Sequence, residues 1–339
     1  MWFTGGATGI MASSSRGPEG APSDVTLVVM EGGYAPPSCA EERFWYRLRF
    51  ALTQDLLRCA KAAACFERII LCSDLPRLQR FARRLGCQVY ATSADFHFGR
   101  VLAAIVADYQ PAAVISTGGA SWPLARPGDL RYWVRALERQ TAVVVVDNPQ
   151  SPDVVGVRPA AAITRLRPLP ASDNELGYAL REVGLHRLLL PAEAGAHLDV
   201  DTPTDVLILA HCGGLGPHAR RLAARLPWDR HRLERAGRVL LRKGAEVALI
   251  GRVAPAVVGW LNQHLEVRVR VLAEERGMKA LGREQAGRVY SLVGAWIDEV
   301  GPERFFEHLA QVADVAFIDT RPLYAHGGRR VAPRDRFWS

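Results

Sequence analysis

The sequence predicts an α/β protein with a mostly parallel, three-layer sheet, followed by a second, smaller α/β domain. Apolar runs such as 24–30, 112–117 and 142–147 alternate with helical segments, which is typical of a parallel sheet covered on both faces. After Asp147 the strands are short and are expected to be antiparallel, over 153–158 and 161–165. The glycine-rich run 213–217 is typical of a linker.

Length and composition predict three parts. The first 23 of the 339 residues are rich in Gly, Ser and Pro, so residues 1–23 are expected to be disordered. The main domain is expected over 24–212 and the smaller one over 213–339. No apolar run is long enough to cross a bilayer, and the start does not resemble a signal peptide. We therefore expect a cytoplasmic protein without a membrane partner.

The charge and the cysteines argue against two classes of function. The net charge is +8, but the arginines are scattered and form no basic stripe with aromatic residues, which argues against nucleic-acid binding. The six cysteines contain no C-x-x-C pair, which argues against a structural zinc site. The sequence leaves a homo-oligomer open.

A strand, two glycines and a helix stand near the start of the main domain. Glu31, Gly32 and Gly33 follow the apolar run 24–30, and a helix is expected over 40–64. Backbone N–H groups in such a turn can bind phosphate. The spacing matches neither the Walker pattern nor G-x-G-x-x-G.

The stretch 198–205, L-D-V-D-T-P-T-D, is the strongest candidate site. Asp199 and Asp201 are two positions apart on a predicted strand and would share one face, where both can approach a divalent cation. Thr202, Pro203 and Asp205 are typical of the first turn of a helix. The alternative is that this stretch merely caps that helix.

Two further clusters have both a functional and a structural interpretation. Phe98 and Gly99 stand at a helix start, where a ring can stack on a base and an N–H can meet a phosphate; core packing is the alternative. Charged residues also follow two strands of the smaller domain, and they predict either an anion site or an exposed salt-bridged rim. This set is Glu274, Glu275, Arg276, Lys279, Arg283, Asp319, Arg321 and His326.

The main domain resembles the nucleotidyltransferases of the glycosyltransferase-A-like fold, notably the guanylyl- and cytidylyltransferases of molybdenum-cofactor synthesis and 2-phospholactate guanylyltransferase. The resemblance covers about residues 24–212. It rests on the order of elements, on G-x-x-x-P-L over 119–124, on N-E-L-G-Y-A-L over 174–180, and above all on 198–205.

The resemblance implies Mg²⁺-dependent transfer of a nucleoside monophosphate from a nucleoside triphosphate to a small phosphorylated acceptor. It implies Asp199 as a Mg²⁺ ligand, with Asp201 beside it, and the nucleotide near Gly118, Gly119 and Ser121. Two positions depart from the family pattern. The loop after the first strand lacks its basic residue, for which Arg43 is the expected substitute because a guanidinium binds phosphate through two donors.

The second departure is the aspartate that the family carries before the P-L step, where this chain has Gly118 to Ser121. Asp147 or Glu31 is the expected substitute. Two alternatives therefore stay open: a related protein that binds nucleotide without turnover, and a sugar-nucleotide glycosyltransferase, for which the D-x-D motif alone speaks.

Overall fold

The computed structural model describes residues 23–93, 95–191, 196, 198–211, 213–226 and 228–329. The predicted disordered extension therefore lies outside the described residues, apart from Ser23. Within these ranges the chain has the predicted α/β fold. The larger sheet consists of β1 (Val25–Met30), β2 (Arg68–Ser73), β3 (Gln88–Ala91), β4 (Ala113–Gly118), β5 (Val143–Val146), β6 (Val154–Arg158) and β7 (His186–Leu189).

The larger sheet is mostly parallel. Its strand order is β3-β2-β1-β4-β6-β5-β7, and only β6 runs antiparallel to its neighbours β4 and β5. The first strand lies between β2 and β4, with Leu27 opposite both Ile69 and Ile115. The carboxyl ends of β1, β4 and β5 therefore open on the same edge, where α/β proteins place their ligands.

The helices of the described residues cover this sheet and a second one. They are α1 (Ala40–Ala63), α2 (Pro76–Arg84), α3 (Phe98–Tyr109), α4 (Pro127–Glu138), α5 (Asp173–Glu182), α6 (Pro203–His211), α7 (Pro217–Ala223), α8 (His231–Leu240), α9 (Pro255–His264), α10 (Leu292–Val300), α11 (Pro302–Val312) and α12 (Arg321–Ala325).

Alternating side chains of the larger sheet form two cores, one on each face. Leu27 and its neighbours on that face pack against α1, α2 and α4, and Trp133 of α4 is fully buried there. Val28 on the opposite face packs against α3 and α5, including Ile105 and Leu180. Helices on both faces give the predicted three layers.

A third core joins α1 to the segment that carries the candidate aspartates. Leu48 and Leu52 of α1 pack against Val200, against Val206 and Leu209 of α6, and against α7. Burial of Val200 fixes the backbone on either side of it. This contact positions Asp199 and Asp201 at the open edge of the larger sheet.

The smaller sheet is parallel and has the order β10-β8-β9, with β8 (Glu246–Gly251), β9 (Arg268–Ala273) and β10 (Val315–Ile318). Ile250 faces α10 and α11, where Phe305 is buried, and Leu249 faces Leu261 of α9. This sheet and its helices form the second, smaller α/β layer that the sequence predicts.

Two local predictions are wrong. Residues 198–201 form no strand, because side chains satisfy their backbone: Asp201 and Thr202 donate N–H groups to Asp205, and Arg49 donates to the Val200 carbonyl. The predicted strand over 161–165 is a 3₁₀ helix, Ala160–Arg165. It follows Pro159, which has no N–H to continue a sheet ladder.

The start of α6 is as predicted. The Asp205 N–H donates to Thr202 Oγ1 at 3.3 Å, and the Thr202 N–H and hydroxyl donate to the Asp205 carboxylate, each at 2.8 Å. This reciprocal capping satisfies the free N–H groups of the first turn. In the described part of the chain, no helix combines the length and the apolar content needed to cross a membrane.

Candidate active site

One cleft of about 620 Å³ lies where the carboxyl ends of the two sheets meet. Gly118 and Ser121, which end and follow β4, line one wall. The opposite wall includes Arg252, which follows β8, and Asp319, which follows β10. The volume of the cleft is within the range of small-molecule sites.

Acidic side chains of the larger sheet dominate one side of the cleft. Asp153, Asp173, Asp199 and Asp201 all line it, together with Asp205. Although residues 198–201 are not a strand, both predicted aspartates therefore face the same space. Several like charges in a poorly hydrated site raise one another's pKa and attract a cation.

Asp199 is held in place by two donors. Ser121 Oγ donates to its Oδ1 at 3.2 Å, and the Val200 N–H donates to the same oxygen at 2.8 Å. Burial, and next the charge of Asp201, raise the pKa of Asp199 to about 8, although Arg49 opposes the shift. This carboxyl is therefore poised to lose its proton when a cation arrives.

Asp153 and Asp173 are cleft acids that the sequence analysis missed, and Asp153 is the one beside Asp199. Burial raises its pKa well above the ordinary value, and the charge of Asp199 is the next cause. The two expected substitutes are engaged elsewhere. Asp147 is buried and accepts the N–H groups of Asp153 and Val154, both at 3.1 Å, and Glu31 is buried in an ion pair with Arg49.

Four basic side chains of the smaller sheet line the opposite wall: Arg252, Arg276, Lys279 and Arg321. Arg276 donates two hydrogen bonds to Gln150 Oε1, at 3.0 and 2.6 Å, and so joins the two sheets. Three of the four were predicted as an anion site of the smaller domain. Arg252 was missed, although its place directly after β8 could have revealed it.

Asp319 holds two of these guanidinium groups. Arg252 Nε donates to its Oδ2 at 2.7 Å, and Arg321 Nε donates to its Oδ1 at 2.9 Å. Burial opposes the charge of Asp319, but both arginines outweigh it and lower the pKa of this carboxyl. Arg321 Nη1 also lies 3.7 Å from Asp201 Oδ2.

Arg49 is the basic residue that α1 contributes to the cleft. Its Nε and Nη2 each donate to the Glu31 carboxylate at 3.3 Å. Burial disfavours its charge, but Glu31, and further Asp199 and Asp201, outweigh burial and raise its pKa. Glu31 also accepts from Tyr34 Oη at 2.8 Å and from Thr53.

Arg43 lies outside this cleft and lines a different groove with Tyr46 and His218. The glycine loop after β1 also faces elsewhere. The Gly33 N–H donates to the Asp74 carboxylate, at 3.1 Å to Oδ1 and 3.3 Å to Oδ2, and Gly33 has a φ of 70°. A Cβ on Gly32 would overlap Asp74. This loop is therefore closed on a carboxylate.

Two other predicted glycines serve close packing. A Cβ on Gly119 would overlap Thr53 and lie 2.7 Å from Glu31 Oε2. The Gly99 N–H donates to the Pro170 carbonyl at 3.0 Å, and a Cβ there would lie 2.5 Å from that oxygen. Phe98 lines the cleft, whereas the N–H of Gly99 is already used.

The remaining residues of the predicted anion site lie away from the cleft. Glu275 pairs with Arg283 through two hydrogen bonds of 2.8 and 2.7 Å. Glu274 accepts the Leu292 N–H at 2.8 Å, and the buried His326 accepts the Ser291 N–H at 3.1 Å. These contacts fix the start of α10.

The side chains of the cleft offer carboxylate, hydroxyl and amide oxygens, and oxygen atoms are the ligands that Mg²⁺ prefers. In the described residues, no three His, Cys, Asp or Glu side chains are arranged to enclose a metal ion. Mg²⁺ usually keeps several waters and uses one or two carboxylates plus substrate phosphates. Asp199 and Asp153 fit that requirement.

No protein family matches this sequence, and a comparison with curated proteins finds no match. Solved structures resemble part of it. A structure described as a nucleotide-diphospho-sugar transferase from Desulfovibrio desulfuricans aligns with 61% of this chain over 100% of its own, at 16% identity and a TM-score of 0.43. A cytidylyltransferase from Leptospira borgpetersenii aligns with 60% of this chain over 93% of its own, at 12% identity and a TM-score of 0.42.

A nucleotidyl transferase from Methanothermobacter aligns with 55% of this chain over 95% of its own, at 13% identity and a TM-score of 0.41. The names of these three structures are those of nucleotidyl and nucleotide-sugar transferases. Because the likenesses are distant, the function of this chain is inferred from the residues of its own cleft.

Proposed function

We propose that this protein is a nucleotidyltransferase that moves a nucleoside monophosphate from a nucleoside triphosphate to a small phosphorylated acceptor with Mg²⁺. The observation that supports it is the meeting, in one cleft, of Asp153, Asp199 and Asp201 with basic side chains of the smaller sheet. A polyphosphate with bound Mg²⁺ needs both kinds of side chain. The carboxylates bind the Mg²⁺ ion, and the basic groups neutralise the negative charge that remains on the phosphates.

The carboxylates of Asp199 and Asp153 would hold Mg²⁺. When bound, that ion neutralises phosphate charge and stabilises the leaving pyrophosphate. Ser121 fixes the direction of the Asp199 carboxylate. Arg321 and Arg252, held by Asp319, would bind phosphate oxygens and take over the task that a basic loop after β1 would perform.

The acceptor is proposed to be phosphorylated because basic groups also stand at another part of the wall. Arg276 is fixed by Gln150, and Lys279 lines the cleft near enough to Asp173 to oppose the rise in its pKa. If basic side chains of the same cleft hold both the nucleoside triphosphate and the phosphorylated acceptor, an acceptor oxygen can be placed in line for attack on the nucleotide phosphate.

The test is release of pyrophosphate by the full chain. Each of the four common nucleoside triphosphates is supplied with Mg²⁺ and a panel of small phosphorylated acids and sugars. We expect release with one base and one acceptor, and loss of that release in Asp199→Asn. Asp108→Asn is the matched control, because Asp108 is exposed on α3. No release with any pair would contradict the proposal.

A second candidate is a protein that binds nucleotide without turnover. The closed glycine loop favours it, because the Gly33 N–H is bound to Asp74 instead of facing the cleft. Nucleotide binding that depends on Mg²⁺ and on Asp199, without pyrophosphate release for any acceptor, would support this candidate over the transferase.

A further inference from the structure

A second groove lies on the other side of α1 from the cleft. It has a volume of about 840 Å³ and is framed by α1, the first five residues of α2, α7 and Tyr34 of the loop after β1. Its five arginines are Arg43, Arg47, Arg77, Arg80 and Arg221. All five are exposed, and the groove is lined by no Asp or Glu among the described residues.

The arginines of this groove form no ion pair within the described part of the protein. None of the five guanidinium groups has a carboxylate partner there at ion-pair distance. A concave surface lined by charges of one sign focuses the field and attracts counter-ions. Because guanidinium groups bind phosphate through two parallel donors, several of them fit a ligand with more than one phosphate.

The floor of the groove is aromatic and apolar. The rings of Tyr34 and Tyr46 stack with their centroids 4.4 Å apart and their planes at 3°. Phe50, Leu75 and Leu222 also line it. Flat rings beside arginines are the combination that binds a base by stacking and its phosphates by charge.

We propose that this groove is a binding site for an organic polyphosphate with a flat aromatic group, the chemistry of a nucleoside di- or triphosphate. The site is separate from the cleft and requires no divalent cation, because the arginines themselves neutralise the phosphates. Its volume is within the range of small-molecule sites. The proposal does not depend on the function proposed for the cleft.

The groove and the cleft can be tested apart. In EDTA, the full chain is titrated by calorimetry with the four nucleoside triphosphates, with inorganic tripolyphosphate and with a single-stranded oligonucleotide. We expect binding of at least one nucleotide, and the same affinity in Asp199→Asn. Loss of binding in Asp199→Asn would place the ligand in the cleft and overturn the proposal.

A charge-matched pair of variants locates the site. Arg77→Gln with Arg80→Gln removes two groove charges, and we expect the affinity to fall by about tenfold or more. Arg83→Gln with Arg84→Gln removes two charges from the same helix, and both of these residues are exposed and outside the groove. Equal loss in the two double variants, or no binding to the unmodified chain, would overturn the proposal.

The aromatic requirement has its own test. Tyr46→Leu is preferred to a change at Tyr34, because the Tyr34 hydroxyl also supports Glu31. We expect this variant to bind the nucleotide as weakly as it binds tripolyphosphate. If the unmodified chain bound nucleotide and tripolyphosphate equally, stacking of a flat group on the tyrosines would be rejected. Much tighter binding of the oligonucleotide would reject a small ligand in favour of a nucleic-acid strand.

Discussion

Arg321 Nη1 lies 3.7 Å from Asp201 Oδ2. The two residues are 120 positions apart in the sequence and lie beside different sheets: Arg321 begins α12 directly after β10 of the smaller sheet, whereas Asp201 precedes α6 at the edge of the larger one. Asp201 in turn raises the pKa of Asp199. The smaller sheet therefore completes the charge balance of the cleft.

Replacement of Arg321 by Gln is expected to weaken the binding of a nucleoside triphosphate with Mg²⁺ by about tenfold, the usual size of a lost charged hydrogen bond. Calorimetric titration measures this. Arg242→Gln is the control, because Arg242 pairs with Asp314 away from the cleft. Unchanged affinity in Arg321→Gln would show that this guanidinium does not contact phosphate.

Asp153→Asn is expected to abolish the Mg²⁺ dependence of nucleotide binding as completely as Asp199→Asn does. The reason is that Asp153 lies close enough to Asp199 for the Asp199 charge to help raise its pKa, after burial, so the two carboxylates would share one cation. Affinity is compared with Mg²⁺ and with EDTA. If Asp147→Asn had the stronger effect, the assignment of the second carboxylate to Asp153 would be incorrect.

Without a divalent cation, Asp199 in the cleft and the buried Asp147 beside it are expected to make the protein less stable as the pH rises. Burial raises the pKa of Asp199 to about 8 and that of Asp147 to about 7, from an ordinary value of 3.8. From about pH 4, the ordinary pKa, up to the raised pKa values, the folded state binds more protons than the unfolded state. The free energy of unfolding therefore falls as the pH rises through this range.

Urea unfolding in EDTA at about pH 5 and about pH 8 measures this fall. Asp199→Asn is expected to show a smaller fall, because one of the titrating carboxyls is absent. Mg²⁺ is expected to restore stability at the higher pH, since it binds the ionised carboxylates. A flat or rising profile in EDTA would contradict the burial of these acids.

Gly119→Ala is expected to destabilise the fold by about 1–3 kcal/mol, the usual cost of overpacking. The added Cβ would overlap Thr53 and approach Glu31, both of which are buried. Gly128→Ala in α4 is the control, because a Cβ there meets nothing within 4 Å. Equal unfolding midpoints for the two variants would contradict this packing.

The alternation of apolar runs and helices was sufficient to predict the larger sheet, because its five inner strands, β1, β2, β4, β5 and β6, are buried on both faces. The same alternation was misleading at 198–201. There Val200 is buried between two aspartates in extended chain whose hydrogen bonds go to Asp205 and Arg49. The local sequence pattern does not show whether the backbone groups of an extended segment form hydrogen bonds with a neighbouring strand or with side chains.

The sequence analysis predicted Arg43 as the basic residue near the phosphates, whereas the arginine of α1 that lines the cleft is Arg49. The difference has a geometric cause. The two positions are six residues apart on α1, so they lie about 120° apart around the helix. Arg49 faces the cleft and Arg43 faces the second groove. Which face of a long helix meets which cavity depends on tertiary packing, and so does the contact of the smaller sheet with the larger one.

Thermal unfolding of the full chain against four nucleoside triphosphates, with Mg²⁺ and with EDTA, tests the central claim most directly. A ligand at a hundred times its dissociation constant stabilises the native state by about 2.7 kcal/mol. We predict a Mg²⁺-dependent rise of the midpoint for one base, kept in Asp108→Asn and lost in both Asp199→Asn and Arg321→Gln. No Mg²⁺-dependent rise with any nucleotide, or a Mg²⁺-dependent rise kept in both cleft variants, would contradict a nucleotide site between the two sheets.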